Sequence, residues 1–309
     1  MTFQQLEYIV AVDTHRHFVN AATACGVTQS TLSSTIAKLE QEIDVVIFDR
    51  SKHPIEPTEL GKRIISQAKV ILHNSQQLRD LVQNEKQSDH GNLFIGIIPS
   101  VAPYLYPSMV KAMHQDNPNI HTTVTEDYAE QLIEKLQRSE LDMAILSGTE
   151  IHDTNLLEIE LYTERFMLYV SPASSLWNRE WVRAEDLQDG GIWAMRSFHD
   201  HYPQLSQITH RESFHNTTLD YGSLRTLIEL VNVNGGYTLV PELFRNALSA
   251  DLQHNLRPIQ GGRFFRTISL VIRQDYMRER MLNIVADAVK RVVPQEMMAQ
   301  HLIKFKITL

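Results

Sequence analysis

The chain has 309 residues, 43% hydrophobic and 21% charged, and its formal net charge at pH 7 is -8. This length and composition predict a globular protein of about two to three domains, and the acidic balance argues against a general binder of polyanions. The N-terminus lacks a basic segment followed by an apolar run, and no apolar run approaches the roughly 18 residues of a membrane helix, so we predict neither a signal peptide nor a membrane span.

Residues 18–40 have the pattern of two short helices joined by a turn at Gly26. The first helix places small and apolar side chains on one face at helical spacing, namely Phe18, Ala21, Ala22 and Cys25. The second helix begins after Thr28, a good N-cap residue, and repeats apolar side chains on one side at Leu32, Ile36 and Leu39. This arrangement predicts a helix-turn-helix.

Cys25 is the only cysteine of the chain. Its place on the apolar face of the first helix favours a buried packing role over a reactive thiol. A single thiol permits no internal disulfide, and we expect the protein to work in a reducing cytoplasm.

The opposite face of the second helix carries short polar side chains that suit base edges and phosphates in a major groove. The candidate contact residues on this face are Gln29, Ser30, Ser33, Ser34 and Lys38. Taken alone, the pattern favours a solvated helix in an ordinary helical bundle.

The segment that follows, residues 48–61, changes this interpretation. It has the pattern of a hairpin wing, with a phenylalanine-x-arginine element at its start and Thr58-x-x-Gly61 at its end. In order and spacing the chain resembles the LysR-type transcriptional regulators, which have these elements after an N-terminal helix-turn-helix, and the resemblance extends over essentially the whole chain. It implies binding to double-stranded operator DNA, with a wing that holds the DNA backbone through Arg50, Lys52 and His53.

Two features qualify the resemblance. Ala37 stands where the family often has an arginine, Ser30 where a proline is frequent, and Asp44 where a glycine usually ends the recognition helix. Asp44 is compatible with a helix end because Asp visits the left-handed conformation more readily than most residues. Ala37, in contrast, changes the expected preference for a DNA site.

The second feature is charge. The first 60 residues hold eight acidic and four basic side chains, so we expect oligomerisation to multiply a small number of phosphate contacts.

Residues 58–86 predict a long linker helix. Apolar side chains recur along one stripe, at Leu60, Ile64, Ala68, Ile71, Leu78 and Val82. Such a stripe predicts pairing with a second copy of the chain, as a homodimer or homotetramer, and the alternative is packing against the helix's own chain. The polar segment from Gln87 to Asn92 then predicts a hinge.

The remaining residues alternate apolar strands with helices, which predicts a parallel sheet covered on both faces. Strands are predicted at 93–98, 121–125 and 141–146, helices at 105–117 and 129–139, a second α/β unit over 166–238, a strand at 268–272 and a helix at 277–292. Two α/β lobes joined by two crossings resemble the periplasmic-binding-protein-like effector domain of the LysR family.

The predicted fold class is therefore α/β, with a winged helix-turn-helix, a long linker helix and a two-lobed effector domain. We place the DNA-binding domain at 1–57, the linker helix and hinge at 58–90, and the effector domain at 91–309. Lobe I comprises about 91–162 and 268–309, and lobe II about 163–267.

Candidate effector contacts follow predicted strand ends, where ligands bind in open α/β sheets, or open a helix, whose N-terminus attracts anions. They are Ser100, Ser147, Arg196, His199, Asp200 and Ser223. Each serine is equally suited to a helix cap or turn. Arg196 favours an anionic effector, and the alternative is that Asp200 neutralises it.

Segments 91–107 and 223–241 resemble the peroxide-sensing OxyR branch of the family. That branch has a reactive and a resolving cysteine in the stretch that matches residues 192–217, where this chain has none, and Asp200 aligns with the reactive position. A carboxylate forms neither a sulfenic acid nor a disulfide. We therefore predict control by a small effector between the lobes rather than by a cysteine disulfide.

No catalytic or phosphate-binding motif occurs, so we predict no enzymatic activity. The histidines are scattered, with one local cluster at His199, His201, His210 and His215, and we predict neither a metal site nor a cofactor. The expected partners are operator DNA, a small effector, further copies of the chain and RNA polymerase, without a membrane. The rival interpretation is a small-molecule-binding or enzymatic α/β protein whose acidic first 60 residues mediate assembly.

Overall fold

The structure is a computed structural model that describes residues 1–52, 54–85, 91–147, 155–187, 191–194, 223–261, 264–304 and 306–308. The chain divides into two compact units, residues 1–88 with 134–140 and residues 89–133 with 141–309.

The first unit contains a small helical bundle and a two-stranded hairpin. Its helices are α1 (Phe3–His15), α2 (Phe18–Ala24), α3 (Gln29–Ile43) and α4 (Glu59–Glu85), and its antiparallel strands are β1 (Phe48–Asp49) and β2 (Glu56–Pro57). The predicted apolar faces of the two short helices point into its core, where the buried side chains include Ala21, Ala22, Leu32, Ile36 and Leu39. The predicted winged helix-turn-helix is confirmed.

Local capping signals determine where α3 begins and ends. Thr28 caps its N-terminus, because the Oγ1 atom accepts a hydrogen bond from the backbone N–H of Thr31 at 3.2 Å. Gly26 makes the preceding turn with a φ of +67°. Asp44 ends the helix in the left-handed conformation with a φ of 54°, as expected for this residue type.

Thr58 anchors the start of α4 to the segment before the wing. Its backbone N–H donates to the Ile47 carbonyl oxygen at 2.9 Å, and its hydroxyl donates to the Val46 carbonyl oxygen at 2.8 Å. The same hydroxyl oxygen accepts the backbone N–H of Gly61 at 2.9 Å. The threonine of the predicted linker motif is therefore an N-cap that also ties the helix to the bundle.

The predicted stripe of α4 divides between two environments. Ile64 and Ala68 pack in the core of the first unit, together with Leu72, which was not part of the predicted stripe. This packing is the alternative that the sequence left open. Three further apolar side chains stay exposed, namely Leu60, Ile71 and Leu78. Their spacing corresponds to about three turns and two turns of helix, so they share one face. Lys86 and the side chain of Val82 lie outside the described residues.

The second unit begins with three parallel strands. β3 (Gly91–Ile97) lies between β4 (Ile120–Glu126) and β5 (Met143–Ser147), and the connecting helices are α5 (Ala102–Asp116) and α6 (Ala129–Gln137). One expectation was wrong: Gly91 and Asn92 belong to β3 rather than to the hinge, because they pair with Ile120 and His121 of β4. Residues 86–90, which form the rest of the predicted hinge, lie outside the described residues.

Two long strands break the purely parallel pattern. β6 (Leu156–Val170) pairs antiparallel with β11 (Phe265–Arg273) over residues 156–165, and with β9 (Tyr237–Pro241) and β10 (Leu256–Gln260) over 166–170. Since β11 also pairs antiparallel with β5, the sheet is mixed, and the expected parallel sheet holds only for β3 to β5 in this lobe. β6 continues from the strands of one lobe into those of the other.

The second lobe completes its sheet with β7 (Val182–Arg183), parallel to β10, and β8 (Ile192–Trp193), parallel to β9. The remaining α-helices of the described residues are α7 (Leu224–Asn234), α8 (Ala250–Gln253), α9 (Glu279–Val292) and α10 (Gln300–Lys304). α9 packs against α5, so the C-terminal part of the chain lies beside the helix that follows β3. Within the described ranges, no helix combines the length and apolarity needed to cross a membrane.

Candidate nucleic-acid interface and effector site

The polar face of α3 is open to solvent. Of the five predicted contact residues, Ser33 is half-buried and the others are exposed, namely Gln29, Ser30, Ser34 and Lys38. Ser30 Oγ lies 2.9 Å from Thr28 Oγ1, and Ser34 donates its hydroxyl to the Thr31 carbonyl oxygen at 3.1 Å. A serine oxygen has two lone pairs besides its donor, so these hydroxyls retain capacity for a ligand.

Arg50 is held at the root of the wing by contacts from α2 and α3. Its Nη2 donates to Glu40 Oε2 at 3.0 Å, and its guanidinium carbon lies 5.4 Å from the centroid of the Phe18 ring. Phe18 in turn makes an edge-to-face contact with Phe48 of β1, with 6.3 Å between ring centroids. The Arg50 side chain remains 46% exposed, so the wing presents a positioned cation.

Lys52 lies in the turn of the hairpin and pairs with a strand residue. Its Nζ donates to Glu56 Oε2 at 2.5 Å. This hydrogen bond and the opposite charges lower the pKa of Glu56 and raise the pKa of Lys52. Both side chains are about half exposed, so water screens the pair and its contribution to stability is small. His53 lies outside the described residues.

Several acidic side chains of the first unit form ion pairs with cations of the same unit. Arg16 pairs with Asp13, Lys62 with Glu59, and the N-terminal amine with Glu42. Lys38, on the exposed face of α3, has no ion-pair partner among the described residues. The acids of this unit therefore lie largely beside its own cations rather than on the face of α3.

Cys25 is partly buried and packs against the core of the first unit. Burial, and then the charge of Glu7, raise the pKa of its thiol. The expected packing role is therefore observed, with burial only partial because Cys25 is the residue that ends α2 and begins the turn. A thiol with a raised pKa holds its proton at neutral pH and is a poor nucleophile.

Ser100, in the turn between β3 and α5, is bound by a charged side chain of the same unit. Its Oγ accepts from Arg266 Nη1 at 2.8 Å, and its carbonyl oxygen accepts from Nη2 at 3.1 Å. The sequence did not indicate this contact, because the two residues lie far apart in the chain.

Two other predicted effector contacts, Ser147 and Ser223, lie at a strand end and at a helix cap. Ser147 is buried at the end of β5, opposite Ile268 of β11. Ser223 caps α7, since its Oγ accepts the backbone N–H of Thr226 at 3.1 Å. The remaining predicted contacts, Arg196, His199 and Asp200, lie outside the described residues.

A buried polar network surrounds Arg266. Its Nε donates to Glu164 Oε1 at 2.9 Å, and both side chains are 0% exposed. Tyr104 donates its hydroxyl to the same carboxylate oxygen at 2.5 Å and lies 3.2 Å from the Tyr162 hydroxyl. Burial, followed by the Glu164 charge, raises the pKa of Tyr104 far above its usual value. The phenol is therefore neutral, and the network is held by one ion pair.

This network lies where β6 passes from one lobe to the other. Arg266 and Glu164 are direct neighbours across β11 and β6, and the Arg266 guanidinium carbon lies 5.5 Å from the centroid of the Phe166 ring. Phe166 already pairs with β9 of the second lobe, whereas Ser100 and Tyr104 belong to the first lobe. Arg266 therefore contacts residues of both lobes.

The described ranges contain no group of three or more His, Cys, Asp or Glu side chains arranged to hold a metal ion. The histidine cluster of the sequence, at His199, His201, His210 and His215, lies outside these ranges.

Two family profiles match the chain. Residues 3–62 match the bacterial regulatory helix-turn-helix protein of the lysR family, and residues 86–294 match the LysR substrate binding domain. The chain is similar to the HTH-type transcriptional regulator EstR of Acinetobacter baylyi, with 28% identity over 94% of this chain and 97% of EstR. It is also similar to the DNA-binding transcriptional dual regulator OxyR of Escherichia coli, with 31% identity over 79% of this chain and 80% of that protein.

Among solved structures, a full-length cysteine-to-aspartate variant of OxyR from Pseudomonas aeruginosa is similar along the whole chain. The TM-score is 0.81 at 27% sequence identity, and the match covers 97% of this chain and 98% of the other.

Proposed function

Because the chain belongs to the LysR family of transcriptional regulators, with a helix-turn-helix DNA-binding domain and an effector-binding domain, we propose that it reads operator DNA with α3 and the wing. Gln29, Ser30, Ser33, Ser34 and Lys38 contact base edges and nearby phosphates in the major groove. Arg50, Lys52 and His53 contact the DNA backbone. The boundaries proposed for these parts remain 1–57, 58–90 and 91–309.

The observation that carries this proposal is the pairing of an open polar helix face with a positioned cation. α3 buries Leu32, Ile36 and Leu39 completely while its polar face stays in solvent, and Arg50 is fixed beside its C-terminal end through Glu40. Polar contacts to base edges specify sequence, and contacts to phosphates set the register of the helix on the duplex. The first unit supplies both kinds of group.

The exposed face of α4 supports an oligomer. Leu60, Ile71 and Leu78 lie on one side of this helix and are 46%, 38% and 57% exposed. A second copy of α4 would cover this face and would double the number of phosphate contacts. We propose the homodimer as the smallest DNA-binding form, with the homotetramer as its doubled form.

The effector domain responds, in this proposal, to a small ligand held between the lobes by Ser100, Ser147, Arg196, His199, Asp200 and Ser223. Arg266 supports this location because it binds Ser100 and lies over Phe166. A ligand changes DNA affinity only if it binds one arrangement of the lobes better than another. A disulfide switch is not part of the proposal, since Cys25 is the sole thiol.

LysR-type regulators are not enzymes, and we propose no catalytic activity for this chain. A regulator of this type acts where the chromosome lies, so we propose a cytoplasmic location, with RNA polymerase as a further partner at the promoter. The rival interpretation, an assembly domain on an α/β enzyme, has no support from the family match.

Footprinting of the DNA upstream of the protein's own gene tests the proposal. A dimer predicts protection of two related half-sites separated by about one helical turn, 10 to 10.5 base pairs, or a multiple of it. Protection that ignores sequence, or none at a protein concentration that saturates a helix-turn-helix control, would refute it.

A further inference from the structure

The contacts of Glu40 assign it a role in DNA recognition that its charge would not suggest. Glu40 lies in the last turn of α3, and its side chain is 13% exposed. One carboxylate oxygen, Oε1, accepts the backbone N–H groups of Ile47 and Phe48 at 2.7 and 3.2 Å. The other oxygen, Oε2, accepts Nη2 of Arg50. A single acid thus joins the recognition helix to the backbone of the wing and to its arginine.

Phe18 makes the second contact that holds the Arg50 side chain in place. The flat guanidinium lies over the aromatic ring, 5.4 Å from its centroid, which is a favourable cation–π distance. An arginine side chain free in solution has many rotamers, and binding a phosphate restricts it to one of them, which costs conformational entropy. Because Glu40 and Phe18 already restrict Arg50, less of this entropy is lost on binding.

We propose that Glu40 is a positioning residue for operator recognition: it holds Arg50 in the place from which the guanidinium contacts a DNA phosphate while α3 is in register with the bases. This inference rests on the proposed function. An acid beside DNA repels phosphates, so the simple electrostatic expectation is that its removal strengthens binding. The positioning role predicts the opposite for the operator.

Glu40→Gln separates the two roles of this carboxylate. The amide oxygen of glutamine can still accept the N–H groups of Ile47 and Phe48, so the wing stays attached. The amide nitrogen then takes the place of Oε2 and faces the Arg50 guanidinium. Both groups are hydrogen-bond donors, so no hydrogen bond forms between them. Arg50 is released while the backbone of the wing is kept.

Glu42→Gln is the matched control. Glu42 lies two residues further along α3, is 50% exposed and pairs with the N-terminal amine rather than with the wing. Its substitution removes the same charge from the same helix without touching Arg50. Any general gain in DNA affinity from the lost charge appears in both variants.

The experiment measures binding of the full chain to its operator and to unrelated DNA. We expect Glu40→Gln to bind unrelated DNA like Glu42→Gln but to bind the operator about tenfold more weakly than that control. In an Arg50→Ala background, Glu40→Gln should change operator binding only as much as Glu42→Gln does in that background. The thermal unfolding midpoint of the Glu40→Gln single variant should match that of the Glu42→Gln single variant.

Three results would overturn the inference: equal operator affinity of the two glutamine variants, an equal loss in the Arg50→Ala background, or a loss of binding that follows a lowered unfolding midpoint. Failure of the wild-type chain to prefer the operator would instead refute the proposed function, so the two failures are distinguishable.

Discussion

A β-carbon added to Gly61 would lie 2.1 Å from the carbonyl oxygen of Ile47. The linker helix therefore begins in direct contact with the backbone that leads into the wing. The same carbonyl oxygen accepts the backbone N–H of Thr58, so it cannot move away without breaking the anchor of α4.

Gly61→Ala is predicted to destabilise the first unit by about 1 to 3 kcal/mol, the usual cost of forcing an extra methyl into a packed region. Helix propensity alone predicts the opposite sign, because alanine is favoured over glycine by about 1 kcal/mol inside a helix. Thermal unfolding measures the difference. Gln67→Ala, at an exposed position of α4, is the control and should be neutral or slightly stabilising. An unchanged or raised midpoint for Gly61→Ala would contradict the prediction.

Ile71→Glu is predicted to weaken self-association of the chain. Ile71 lies in the exposed apolar face of α4 between Leu60 and Leu78, and a carboxylate buried there without a partner is costly. Sedimentation velocity over a range of concentrations measures the effect. Gln41→Glu places the same charge on an exposed position of α3 and should leave the oligomer intact. If both variants sediment as the wild type does, the interface lies elsewhere.

Arg266→Met is predicted to destabilise the effector domain by about 3 to 5 kcal/mol, because it leaves the Glu164 carboxylate buried without its cation. Adding Glu164→Leu should recover most of this loss, since an apolar pair of similar size needs no charge compensation. Denaturant unfolding of the two variants is the measurement. A double variant less stable than Arg266→Met would show that the ion pair is not what the network depends on.

Much of the first unit could be predicted from sequence because its determinants are local. The caps at Thr28 and Asp44, the turn at Gly26 and the buried spacing of Leu32, Ile36 and Leu39 each depend on residues within a few positions. Glu40 was missed because its partners, Ile47 and Arg50, are identified only when the wing folds back on α3. No helical or strand period couples an acid in one element to an arginine in another.

The effector domain was predicted less completely for the same reason. The first part of β6, residues 156–165, was missed, whereas its last part lies in the second α/β unit expected from Phe166. The missed part mixes exposed and buried residues, with Glu158, Glu160 and Glu164 among them, while the expected strands were continuous apolar runs. Arg266 lies two residues before the predicted strand at 268–272, and its pairing with Glu164 depends on sheet register. Ser223 caps α7, which is the alternative that the sequence left open for each serine, and its role as an effector contact stays a prediction.

Peroxide is predicted to leave operator binding unchanged. The raised pKa of the Cys25 thiol, caused first by burial, keeps the thiolate fraction low, and a disulfide requires a second cysteine from another subunit. Operator affinity before and after hydrogen peroxide, in the wild type and in Cys25→Ser, is the comparison. A response that a reductant reverses in the wild type, and that is absent in Cys25→Ser, would contradict the prediction.

The preference for operator over unrelated DNA, measured for the wild type and for Ser33→Ala at near-physiological salt, tests the central claim most directly. Sequence-specific binding by a LysR-type regulator predicts that the wild type binds the operator about a thousandfold or more tighter than unrelated DNA. If Ser33 makes one good base contact, Ser33→Ala should reduce that preference by about 1 kcal/mol, roughly fivefold, without changing binding to unrelated DNA. Equal affinity of the wild type for both DNAs would contradict the account, and an unchanged preference in folded Ser33→Ala would contradict the assignment of that contact.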